Sequence, residues 1–177
     1  MEILDKFFED HEGAGAEMRV AVMQAYDSIP PHWQMGLPDL RVVITNIPSE
    51  IFSQKVQFVD GRLTLQLCGC SAELAKDDNF PKSFMMLFFQ LFCNTHVGLE
   101  RVIMDQSRNL GPVLRSREDG MYEVLSPVEA FIYSFPDFVL GRKDRIVDRG
   151  WNFLARINHQ VKYGHHLSLQ RVSQSIS

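Results

Sequence analysis

Phe80-Pro-Lys-Ser-Phe-Met-Met-Leu-Phe-Phe-Gln-Leu-Phe-Cys93 is the most apolar run in the chain, and its reading decides the fold. Only Lys82, Ser83 and Gln90 interrupt it, and no charge occurs from Ser83 to Thr95. The run is too short to span a bilayer, so it belongs in a protein core. Two conformations fit it. Phe84, Leu87, Phe88, Leu91 and Phe92 follow helical spacing, and Met, Leu and Gln favour helix. A central strand buried on both faces also reads as continuous apolar sequence. Residues 84–92 therefore remain open between helix and strand.

Around this run the chain alternates strand and helix signals. Leu40-Arg-Val-Val-Ile-Thr-Asn-Ile47 is rich in β-branched residues and bounded by Pro38 and Pro48, which predicts a strand. Lys55-Val-Gln-Phe-Val59 and Arg62-Leu-Thr-Leu-Gln-Leu67 flank Asp60-Gly61, a preferred type I′ pair. Closing that turn places Phe58 opposite Leu63, Gln57 opposite Thr64 and Val56 opposite Leu65. Leu99-Glu-Arg-Val-Ile-Met104 reads as a further strand. Helices are expected at Met1 to Asp10, ended by Gly13 and Gly15, and at Ala16 to Ile29, stopped by Pro30-Pro31. In the second, Met18, Val22, Ala25 or Tyr26, and Ile29 form the apolar stripe. Ser126-Pro-Val-Glu129 is a helix start, with Ser126 as N-cap, Pro127 at the first position and Glu129 closing a capping box. That helix should end near Phe135-Pro136. A last helix from about Arg142 to Lys162 should bury Ile146, Trp151 or Leu154, Ile157 and Val161. The expected fold class is α+β: an antiparallel sheet with packed helices and a C-terminal helical segment. The expected division is an interaction domain over 1–110, a loop or linker over 111–120, a helical segment over 121–163 packed on the domain, and a flexible tail over 164–177.

Composition bounds the function. The chain has 177 residues, 45% hydrophobic and 23% charged, ordinary for a globular protein. Thirteen Phe predict an aromatic core, and a net charge of −4 argues against a basic nucleic-acid footprint over the whole domain. Met1-Glu-Ile-Leu-Asp opens with acids and lacks the ordered regions of a signal peptide. Three Cys make no disulfide framework, so a reducing compartment, cytosol or nucleus, is expected.

Cys68-Gly-Cys70 and Cys93-Asn-Thr-His96 supply three thiolates and an imidazole, the ligand count of a structural zinc site. Against it, C-x-C is a poor knuckle, and Cys is among the most buried residue types. His165-His166 reads as a solvated pair. Arg142, Lys143, Arg145, Arg149 and Arg156 share a predicted helix with Asp144 and Asp148 interleaved, a salt-bridged solvent face. No phosphate loop and no nucleophile elbow occurs in the sequence. These readings favour a non-enzymatic protein-interaction module that binds a protein partner or a second copy, without a cofactor. Trp33, Phe89, Phe138 and Trp151 are the candidate partner-binding residues. The competing reading is a structural zinc or small enzymatic domain built on Cys68, Cys70, Cys93 and His96.

From Ala16 to about Leu110 the order of elements resembles part of a nuclear-transport-factor-2-like domain of the mRNA export receptor type. The matching stretches are Tyr26-Asp-Ser-Ile-Pro30, a helix end; Leu40 to Ile47, a strand; and Leu65-Gln-Leu-Cys-Gly69, an apolar strand ending in Gly. Phe80-Pro-Lys-Ser-Phe-Met85 resembles the F-x-x-x-F opening of the next strand, and Arg101-Val-Ile-Met-Asp105 resembles the last strand with its acid. The family's first helical pair and first strand are compressed into Met1 to Gly13 or absent. Ser126 to Val161, with Gly150-Trp-Asn-Phe153, resembles the ubiquitin-associated-like module that follows in export receptors. The resemblance implies that the apolar run is a sheet strand and that the chain is an adaptor or transport-type scaffold with a dimer face.

Two measurements check this reading of the sequence. Gly61→Val should destabilise the fold by about 1 kcal/mol or more in a denaturant titration, because β-branched residues fit a positive φ badly. An unchanged midpoint would displace the turn. Elemental analysis after mild purification should find no zinc; about one zinc per chain would overturn the reading of the thiols as core.

Overall fold

A computed structural model of the chain describes residues 8–11, 15–37, 40–45, 53–59, 62–68, 79–107, 113–116, 122–146 and 148–163. Two compact units result. The first comprises Met1–Ser28 and Gln34–Phe84, the second Ile29–Trp33 and Met85–Ser177.

Strands β1 (Phe8–His11), β2 (Arg41–Thr45), β3 (Ser53–Val59) and β4 (Arg62–Cys68) belong to the first unit, with helix α1 (Gly15–Asp27) between β1 and β2. The strand order is β1-β2-β4-β3. β1 pairs parallel with β2, β2 parallel with β4, and β3 antiparallel with β4. A parallel pair needs a crossover, and α1 lies on the connection from β1 to β2. Consecutive residues Val42 and Val43 are both buried, so β2 is covered on both faces, as a strand inside a parallel arrangement should be. The β3–β4 hairpin has the expected register: Phe58 faces Leu63, Gln57 faces Thr64 and Val56 faces Leu65. Asp60 and Gly61 lie outside the described residues. On α1, Ala21, Val22 and Ala25 are buried and Val20 is exposed. The helix closes with Ser28, whose Oγ donates to the Gln24 carbonyl at 2.8 Å.

A short helix, α2 (Pro31–Gln34), has its first three residues in the second unit and Pro31 at its first position, where a missing N–H costs nothing. Helix α3 (Phe80–Thr95) begins in the first unit and continues into the second. It is followed by α4 (Val97–Ser107), the antiparallel hairpin β5 (Val113–Ser116) and β6 (Tyr122–Leu125), α5 (Pro127–Val139), a 3₁₀ turn at Lys143–Arg145, and α6 (Asp148–Tyr163).

These findings correct the expected fold class. Helix, 3₁₀ included, accounts for 77% of the residues whose side chains are described. The four-stranded sheet is mixed, with two parallel pairings, where an antiparallel α+β sheet with packed helices was expected. The apolar run is the helix α3, so a strand over 84–92 is excluded. Leu99 to Met104 is likewise helical, within α4. Two segments that the export-receptor resemblance would make strands are thus helices. Phe8 to Asp10 is strand instead of helix: the ladder with Val42, Val43 and Ile44 outweighs a local helical pattern. Val113–Ser116, read as loop, is a strand because Tyr122–Leu125 offers it a partner.

The α3 core is aromatic. Phe84, Met85, Leu87, Phe88, Phe89, Leu91, Phe92 and Cys93 are all buried, while Ser83, Gln90 and Asn94 are exposed. At 100° per residue those three polar positions form one narrow stripe, and between Phe84 and Cys93 the rest of the circumference is apolar. Trp33 is fully buried in the second unit. Its ring lies edge-on to Phe89, Phe92 and Phe135, with centroids 5.7, 4.8 and 5.3 Å away. Phe89 and Phe135 stack at 4.4 Å. The indole Nε1 donates to Asn158 Oδ1 on α6 at 2.7 Å. His32 Nε2 meets the same oxygen at 2.6 Å. An indole N–H can only donate, so that oxygen is the acceptor and His32 Nε2 carries the proton between them.

Asn158→Ala should cost about 2 kcal/mol, because it strands a buried indole N–H in an apolar pocket. A double-mutant cycle with Trp33→Phe, read by urea unfolding, should show a coupling of about 1 kcal/mol between the two side chains. Additive losses would mean that the bond contributes nothing to stability.

Candidate interaction surface

α5 opens as its sequence dictates. Ser126 is the N-cap: its Oγ accepts from the Glu129 amide at 3.2 Å, and its own amide donates to Glu129 Oε2 at 2.8 Å. Two orphan donors at the helix start, the Ser126 and Glu129 amides, are thereby satisfied. The helix does not end at Phe135-Pro136. Pro136 sits inside it and removes one backbone hydrogen bond, yet the Leu140 amide still reaches the Pro136 carbonyl at 3.0 Å. Gly141, at φ +70, supplies the stop. The Gly141 amide bonds the Phe138 carbonyl at 3.1 Å and the Arg142 amide bonds the Asp137 carbonyl at 2.8 Å, which is a Schellman closure.

The polar side chains of α5 are engaged close to their own backbone. Glu129 closes the capping box, Ser134 Oγ donates to the Ala130 carbonyl at 2.8 Å, and Asp137 faces Arg142 at 3.6 Å. Inward, Ala130, Phe131 and Phe135 are buried, and Phe131 meets Phe153 of α6 at 4.3 Å. Outward, Glu129, Tyr133 and Leu140 share an exposed stripe; Tyr133 and Leu140 are 38% and 39% exposed. Phe138 is half-buried and packs on the half-buried Trp151 at 4.9 Å. Two of the basic residues past the helix end face acids: Arg142 faces Asp137, and Lys143 faces Asp148 at 3.6 Å. They lie on and beside the 3₁₀ turn, since α6 begins only at Asp148 and not at Arg142.

The candidate partner-binding residues therefore divide. Trp33 and Phe89 are fully buried in the second unit, where they serve as core. Phe138 and Trp151 form the half-exposed ring pair. Tyr133 and Leu140 were not among the sequence candidates. Their signal is the helical offset of seven residues between them, four and eleven residues beyond the capping Glu129.

The four candidate zinc ligands are not placed as one described site. Cys68 ends β4 in the first unit, and Cys70 lies outside the described residues. Cys93 and His96 belong to the second unit, one helical turn apart and both buried. The His96 ring packs on Phe92 at 4.4 Å. Those two side chains are half the four ligands that a structural zinc site takes. Among the described residues no group of three or more His, Cys, Asp or Glu side chains is placed to hold a metal ion. His165 and His166 also lie outside the described residues. No described helix is long and apolar enough to cross a membrane. Comparison with protein-family models, with curated proteins and with solved structures gives no match.

The capping box has a pH signature. The Ser126 amide, and then its hydroxyl, hold the Glu129 carboxyl below the ordinary carboxylate range. A carboxyl lowered in the folded state adds stability above its unfolded pKa of about 4.3, and that contribution is lost as pH falls through the folded value. Glu129→Gln can keep the hydrogen bonds but not the charge. The stability difference between wild type and this variant should therefore shrink on going from pH 7 to pH 3 in urea titrations. A difference constant across that range would show that the charge of Glu129 contributes nothing.

Proposed function

We propose that the chain is a non-enzymatic protein-interaction module that works through the outer side of α5 and the start of α6, with Tyr133, Phe138, Leu140 and Trp151 as its contact residues. One observation carries the reading. α5 uses its polar side chains for its own caps and ion pair, and its outward stripe leaves an aromatic and an aliphatic residue more than a third exposed. Tyr and Trp dominate the energetics of protein interfaces because they offer large rigid area at low entropic cost. The occupant is a protein partner or a second copy of the chain. The three-cysteine composition supports a reducing compartment, cytosol or nucleus, as its place of action.

The test pairs Leu140→Asp with Trp151→Ser in the full chain. Capture from native extract, followed by light scattering of the recovered complex, should find a defined assembly for wild type. The Leu140→Asp protein should lose that assembly while its unfolding free energy in urea stays within about 0.5 kcal/mol, as for an exposed position. Trp151→Ser should weaken the assembly and also lower stability, since its ring packs on Phe138. An assembly retained by both variants would remove this surface from the proposal.

A further inference from the structure

We draw no further inference here: the strongest candidate, the stripe of Tyr133 and Leu140 along α5 beside the Phe138–Trp151 ring pair, belongs to the surface already described, and nothing in the structure shows what covers it.

Discussion

The helical unit is built around one indole. Trp33 brings a donor N–H into an apolar enclosure, and a buried donor without an acceptor costs about as much as several methylene groups gain. Asn158 removes that cost, since its Oδ1 sits 2.7 Å from the indole nitrogen. This fixes α6 against the segment Ile29–Trp33 at a point where rings from α3 and α5 converge. Phe89, Phe92 and Phe135 meet the indole edge to face at 4.8–5.7 Å, a geometry that aromatic quadrupoles favour. Four separate segments are thus positioned by one side chain. Three of the thirteen Phe fill the space around this ring.

Local features of the chain were readable in the sequence, and features set by distant partners were not. The hairpin register follows from Asp60-Gly61 and the alternation beside it, both confined to a dozen residues. The α5 start follows from Ser126, Pro127 and Glu129 alone. The parallel pairing of β1 with β2 has no such signature. Phe8 to His11 is short, and its state depends on Val42 to Thr45 more than thirty residues away. The same holds for Val113–Ser116, whose strand state is conferred by Tyr122–Leu125.

The apolar run is the instructive case, because its answer was present in the residues that seemed incidental. Ser83, Gln90 and Asn94 fall on one helical stripe, whereas in a strand Ser83 would lie on the face opposite to the other two. A buried helix is recognised by where its few polar residues stand more than by where its many apolar ones do. The thiol–imidazole set is a different case. Cys68, Cys70, Cys93 and His96 satisfy a ligand count along the chain, but a count carries no information on burial. Cys93 faces inward because α3 is apolar over nearly its whole circumference, and His96, the residue after α3, is buried against Phe92.

The same logic separates core from surface on α5. The helix carries few hydrophilic side chains, and each is drawn back toward its own backbone or helix end: Glu129 to Ser126, Ser134 to Ala130, Asp137 to Arg142. Gly141 then turns the chain so that Arg142 and Lys143 meet Asp137 and Asp148. What remains facing outward beside Glu129 is Tyr133 and Leu140. Trp33 and Phe89, the most conspicuous aromatics in their neighbourhoods, are consumed by the core, while the less conspicuous Tyr133 and Leu140 stay partly open to water. On α5 the exposed aromatic thus stands where the helix has engaged its polar side chains with its own backbone and its C-terminal turn.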